Sequence, residues 1–165
     1  MNKPFHKILP IFVLTFSIVS TLRAQSNYQL SLSEAGKIMG EPVYLEDSSS
    51  GYASGAHYYK CSYFSLSKDS ITGRIGKLYY MYEEYDKESE AHQVYEGFKI
   101  ANAKNSPLKD LSFGDEGYYQ GPPGPPHFIL VRKGNKLLRF KINKSTSHTS
   151  ADALFEVAKE KASKF

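Results

Sequence analysis

The stretches HYYKCSYFSL, at residues 57–66, and IGKLYYMYEEY, at residues 75–85, decide the fold. Both are dense in Tyr and Phe, which favour extended backbone because their side chains pack well on a pleated surface. Polar residues and a glycine at 68–73 separate them and predict a turn. The sequence therefore predicts two strands paired as an antiparallel hairpin.

Helices are predicted on both sides of this hairpin and at the end of the chain. The first begins at the capping box Ser31-Leu32-Ser33-Glu34, where serine and glutamate satisfy each other's free backbone amides, and ends at Gly40. The second is capped by Asp86 and continues to about residue 104. The third begins after Thr149 or Ser150 and continues to about residue 164. Both later segments carry an apolar stripe at helical spacing.

A second hairpin is predicted near the end of the chain. Residues 127–132 and 136–142 are apolar or alternating, and Gly134-Asn135 between them is a strong signal for a two-residue turn. Residues 111–120 predict a turn that leads into a further short strand.

The remaining segments are expected to be irregular or at the edge of a sheet. Residues 43–45 fit a short edge strand, and the Ser-rich and Gly-rich residues 47–55 predict a loop. The sequence GPPGPP at 121–126 cannot join a strand ladder because proline lacks the donor, so it predicts an exposed extended loop.

The order of these elements predicts an α+β fold. Hairpins, rather than strand-helix-strand crossovers, imply an antiparallel sheet. We expect four to six strands with about three helices packed mainly on one face, in the order α-ββ-α-ββ-α. Residues 25–165 are expected to form a single α+β domain.

Residues 1–24 predict a signal peptide. Two lysines precede an apolar run at 8–19, and small and polar residues follow it. In a helix this run would span about 18 Å, which is short of the roughly 30 Å hydrocarbon core. Cleavage after Ala24 is favoured, with cleavage after Ser26 and an uncleaved anchor as alternatives. The protein is therefore expected to be exported, to the periplasm or the medium, with no membrane span in the mature chain.

The charge balance argues against a nucleic-acid partner. The chain has 21 Lys and Arg against 17 Asp and Glu, and three of the basic residues lie in the leader. The mature chain is then nearly neutral and lacks the basic field that binds phosphate backbones.

Cys61 is the only cysteine, so an internal disulfide is excluded. As a nucleophile it would need a base within hydrogen-bond reach. His57 lies four residues away on the same predicted strand, about 13 Å distant. We therefore expect Cys61 to be a small buried core residue.

Asp115 and Glu116 lie between two glycines, where paired carboxylates can act as general acid and base or can stabilise a turn. A small hydrolase or metal-dependent enzyme is the alternative function, and it requires Cys61, a histidine and one of these carboxylates to converge. The histidines show neither H-x-x-x-H nor H-x-H spacing. The sequence therefore predicts neither a metal site nor a cofactor.

Tyrosine is abundant, with 13 Tyr and no Trp in the chain. Tyrosine offers a large contact area with few rotatable bonds, which suits recognition surfaces, although it also simply favours strands. The favoured hypothesis is a non-enzymatic binding module that presents a tyrosine-rich sheet surface. Its partner would be a protein, a small molecule or a glycan, and the chain would be a monomer or a weak dimer. The candidate binding residues are Tyr58, Tyr79, Tyr80, Tyr82, Tyr118 and Tyr119.

Several short motifs together carry a resemblance. They are Gly40-Glu41-Pro42 after the first helix, Cys61-Ser62-Tyr63, the sequence FGDEGY at 113–118, and VRKGN at 131–135. The chain resembles small exported α+β proteins and lipoproteins of unknown function in bacterial envelopes, without the lipid-accepting cysteine. Gln25-Ser26 after the leader is similar to the mature start of exported proteins of Bacteroidota-type bacteria. The resemblance implies no activity.

Overall fold

The computed structural model describes residues 27–121 and 127–165. The predicted signal peptide and most of the GPPGPP segment lie outside these residues. The helices are α1 (Leu32–Met39), α2 (Glu88–Ala103) and α3 (Ala151–Ser163), and the strands are β1 (Val43–Ala53), β2 (Ala56–Ser65), β3 (Lys77–Tyr85), β4 (Lys109–Asp110), β5 (Glu116–Gln120), β6 (Phe128–Lys133) and β7 (Lys136–Lys144). No helix among the described residues has the length and apolarity needed to cross a membrane.

The described strands form one antiparallel sheet in the order β1-β2-β3-β7-β6-β5-β4. The α+β class and the antiparallel sheet are confirmed. The expected four to six strands were too few, because seven are present in the described chain. The order of elements is one helix, three strands, one helix, four strands and one helix, which differs from the expected α-ββ-α-ββ-α.

The Ser-rich segment at 47–55 is the main local error of the sequence analysis. Most of it belongs to β1, which pairs with β2 from Val43 opposite Ser65 to Ala53 opposite Ala56. Ser54 and Gly55 alone form the turn, both with positive φ (54° and 80°), as a two-residue hairpin requires. β1 is an edge strand held by backbone hydrogen bonds, so its side chains can be polar and exposed.

Helices pack on both faces of the sheet, and the expectation that they lie mainly on one face needs correction. α1 and α3 bury Ile38 and Leu154 in one cluster with Tyr80 and Leu138. We call this side the α1/α3 face. α2 belongs to a second cluster, which contains Leu137. Because adjacent strand residues point to opposite faces, α2 lies on the other side, which we call the α2 face.

The start of the described chain is anchored in the α1/α3 face. The capping box is present, since Ser31 Oγ accepts from the Glu34 amide at 3.1 Å and the Ser31 amide donates to Glu34 Oε2 at 2.7 Å. Lys161 of α3 is buried, and its Nζ lies 2.9 Å from Glu34 Oε1 while also donating to the carbonyl of Gln29. This buried ion pair ties α1, α3 and the residues before α1 together.

Candidate functional site

The α2 face of the sheet is only partly covered. α2 packs on β3, β6 and β7, and the cluster beneath it buries Tyr118 of β5, Leu130 of β6 and Leu137 of β7. The neighbouring part of that face, on β2 and the adjoining parts of β3 and β7, has no helix over it in the described chain. We call this part the open face, and it consists of Lys60, Ser62, Tyr79, Met81, Arg139 and Lys141.

The strand register fixes how these side chains neighbour one another. Ser62, Tyr79 and Lys141 lie side by side in one row across the sheet. The next row holds Lys60, Met81 and Arg139. Because residues two apart on a strand share a face, the two rows form one continuous surface.

The open face forms the floor of a groove with a volume of about 440 Å³. Phe128 of β6 and Asp47 of β1 also line it, together with Asn143 at the end of β7. Pockets for small molecules commonly measure about 300–1,000 Å³ and combine an apolar floor with a few polar groups. The groove has both properties, since Tyr79, Met81 and Phe128 supply the apolar part.

One cation of the groove is neutralised by a neighbour. Arg139 Nη2 lies 2.8 Å from Glu83 Oε2, and both side chains are largely buried. The guanidinium also lies 4.5 Å from the ring centre of Phe98, which belongs to α2. Arg139 therefore marks the border between the covered part of the face and the groove.

Lys77 lies two residues before Tyr79 on β3, on the same face of the sheet, and is also paired. Its Nζ lies 3.3 Å from Glu46 Oε2 and above the rings of Phe64 and Tyr79. Hydrogen bonding with Tyr79, and then with Glu46, raises the pKa of Lys77, so the ammonium stays charged at neutral pH.

Lys60 and Lys141 are the cations that remain available. Both are exposed, and neither forms an ion pair with any residue in the described ranges. They lie on opposite sides of β3, about 10 Å apart across the sheet. An anionic group above Tyr79 would therefore have an ammonium within reach on either side.

The six tyrosines predicted as binding residues do not share one surface. Tyr79 lies half-buried on the open face, and Tyr58 lies on the same face beyond Lys60. Tyr80 and Tyr82 have exposed fractions of 1% and 5% because that face is covered by α1, α3 and the flanking residues Tyr28 and Phe165.

The other two tyrosines are also engaged by helices. Tyr118 is buried beneath α2, where its ring meets Tyr95 and its hydroxyl accepts from Asn102 at 2.9 Å. Tyr119 packs edge-on against Phe155 of α3, with ring centres 5.0 Å apart. Strand alternation predicts that neighbouring tyrosines such as Tyr79 and Tyr80 point to opposite faces of the sheet. It cannot predict which helix covers each face.

Cys61 is buried in the α1/α3 face, where burial raises the pKa of its thiol despite hydrogen bonds with Tyr59 and Tyr63. The thiolate is therefore disfavoured. Glu116 lies on the opposite face of the sheet, four strand spacings or about 19 Å away. The structure does not bring Cys61 together with Asp115 or Glu116.

Asp115 and Glu116 instead surround a buried arginine, Arg132. Its Nε lies 2.8 Å from Glu116 Oε2, and its Nη1 lies 2.9 Å from Glu88 Oε1 and 3.6 Å from Asp115 Oδ2. Asp115 also accepts from the amide of Gly134 in the β6–β7 turn at 2.7 Å. These carboxylates thus hold the start of α2, β5 and the second hairpin together.

A histidine that the sequence analysis did not single out joins this cluster. His92 Nδ1 lies 3.1 Å from Glu116 Oε2. Burial opposes ionisation of Glu116, but hydrogen bonds from Arg132 and His92 lower its pKa overall. One ligand atom each from His92, Glu96 and Glu116 lies within 4.8 Å of the others. The sequence feature that could have indicated this cluster is the four-residue spacing of His92 and Glu96, which places both on one side of a helix.

No family model matches the chain, and no curated protein or solved structure is similar enough to support an assignment. Function must therefore be argued from the geometry of the sites themselves.

Proposed function

We propose that this protein is an exported, non-enzymatic binding module whose open face binds a small organic anion. The observation that carries this proposal is the pairing of two free ammonium groups, Lys60 and Lys141, with an apolar floor in one groove. A ligand with one acidic group and one ring or aliphatic part would use both features.

The chemistry of the groove favours an acid over a neutral ligand. Lys60 and Lys141 are the cations without an ion pair here, and Asp47 is the one lining carboxylate among the described residues. A carboxylate, sulfate or phosphate would gain charge-assisted hydrogen bonds to the lysines. The apolar part would lie on Tyr79 and Met81 and remove their surface from water.

Anilinonaphthalene sulfonate is a suitable probe because it combines fused rings with one anionic group and fluoresces on binding apolar surface. We expect the folded protein to bind it in a saturable one-to-one manner. Replacing Lys60→Gln and Lys141→Gln together should weaken binding by about tenfold per lysine, as expected for loss of a charge-assisted contact.

The matched control is Lys159→Gln, an exposed lysine on α3 at the other side of the sheet. It should leave the affinity unchanged. Equal affinity of the double variant and the control would contradict the proposal, and so would tighter binding of a neutral analogue of the probe.

Export rests on the predicted signal peptide and needs its own test. Expression of the full chain in a bacterial host, followed by fractionation and mass spectrometry of the N-terminus, should give a product that begins at Gln25 outside the cytoplasm. A full-length product confined to the cytosol would contradict export without affecting the binding proposal.

A further inference from the structure

A cluster on the α2 face, separate from the open face, has the composition of a metal site. It contains His92 and Glu96 from α2 and Glu116 from β5, with one ligand atom from each within 4.8 Å of the others. It is the one group of three such residues found in the described chain. We propose that these three side chains bind a divalent transition-metal ion, with Zn²⁺ as the best match.

The carboxylates in and around this cluster outnumber the arginine, Arg132, that contacts them. Glu96 and Glu116 bring carboxylate oxygens close together, and Glu96 forms no ion pair with a described residue. Glu88 and Asp115 add two further acids around Arg132. Like charges at this distance repel, and an intervening cation would turn that repulsion into attraction.

Arg132 prepares Glu116 for this role. It holds Glu116 Oε2 at 2.8 Å and is itself fixed by Glu88 at 2.9 Å. No described residue donates to the second oxygen, Oε1, which therefore has free lone pairs. Hydrogen bonds to the distal atom of a ligating carboxylate orient it, as outer-shell partners commonly do in metal sites.

The donor set selects the type of metal. One imidazole and two carboxylates suit zinc and similar transition metals, whereas Ca²⁺ and Mg²⁺ prefer oxygen ligands alone. The His92 side chain is 50% exposed, so water can complete the coordination sphere. Small side-chain rotations suffice, because ligands around zinc lie about 3.3 Å apart when each is about 2.0 Å from the ion.

Isothermal titration of the tag-free protein with zinc chloride tests the proposal. We expect one saturable site, with no comparable heat from calcium or magnesium chloride. His92→Ala and Glu96→Gln should each weaken Zn²⁺ binding by about tenfold or more, since losing a direct ligand costs at least as much as losing its outer partner. Glu116 is left intact because its contact with Arg132 supports the fold.

The control is His57→Ala, which removes another exposed imidazole, on β2, that does not belong to the cluster. It should bind Zn²⁺ as the wild type does. Absence of a saturable Zn²⁺ site would overturn the proposal, as would retention of wild-type affinity in His92→Ala. Circular dichroism melts without metal check that each variant is folded, as we expect for the exposed His92 and the partly exposed Glu96.

Discussion

Substitution Lys161→Met tests whether the buried ion pair with Glu34 anchors the start of the domain. The Lys161 side chain is 5% exposed and the Glu34 side chain is 20% exposed, so removal of the lysine leaves a poorly hydrated carboxylate and an unpaired carbonyl at Gln29. Breaking a buried pair at one partner costs about 3–5 kcal/mol. Because Glu34 keeps its contacts to Ser31, we expect the lower end, about 3 kcal/mol.

Urea denaturation followed by circular dichroism measures this loss in the free energy of unfolding. A loss of about 3 kcal/mol corresponds to a fall in the melting temperature of about 10 °C for a domain of this size. Lys164→Met, at the C-cap of the same helix, is the matched control, since Lys164 forms only a surface pair with Glu160. It should change stability by less than about 0.5 kcal/mol.

The double variant Lys161→Met with Glu34→Gln completes the cycle. The second change removes the charge that the first leaves unpaired, so the pair of changes should cost less than the sum of the single effects. If Lys161→Met proves no more destabilising than Lys164→Met, the ion pair does not anchor the chain and the reasoning fails.

Three further predictions concern pH, reactivity and backbone conformation. The Asp69 carboxylate accepts hydrogen bonds from Thr72 and Ser147, and these bonds hold its pKa well below the usual value. Its stabilising effect is therefore present above about pH 4 and is lost as pH falls through the folded pKa. Asp69→Asn should lower the urea midpoint at pH 7, and a difference from wild type that is unchanged at low pH would refute this. Iodoacetamide should label Cys61 only on unfolding, whereas rapid labelling of the native protein at neutral pH would favour a reactive thiolate. Gly40→Ala should destabilise the protein by about 2 kcal/mol or more, because φ is 69° and the new Cβ would lie 2.0 Å from the carbonyl oxygen of His148. Gly97→Ala, in an open position of α2, should instead stabilise the protein by about 0.5–1 kcal/mol. Equal effects of the two substitutions in thermal melts would contradict the argument.

Local signals predicted much of the fold. The capping box at Ser31 and Glu34 acts within one turn, and Gly134 sets the second hairpin by its own positive φ of 56°. Such features depend on neighbours in the chain, so a single sequence reveals them. Strands rich in tyrosine were found for the same reason, because alternation and composition are local properties.

Features that depend on distant contacts were not predicted. β1 extends to Ala53 because its backbone pairs with β2, and a serine-rich sequence carries no sign of that partner. The position of α2 on the opposite face decides that Tyr118 is buried while Tyr79 borders a groove. Both faces of β3 carry tyrosines, so periodicity could not assign the helices between them.

The candidate sites show the same limit. Lys60 and Lys141 come together only through the β2-β3-β7 order, which places two strands distant in sequence on either side of Tyr79. His92 and Glu96 lie one helical turn apart and were visible in the sequence, but Glu116 joins them only after β5 packs near α2.

Amide chemical-shift mapping by NMR tests the binding proposal most directly. The ¹⁵N-labelled protein would be titrated with small carboxylates, sulfates and phosphates, each beside a neutral analogue of the same shape. The proposal predicts that acids alone shift the amides of Lys60, Tyr79 and Lys141 together, and that Lys60→Gln with Lys141→Gln abolishes these shifts. Shifts confined to the α1/α3 face, or equal shifts from the neutral analogues, would contradict it.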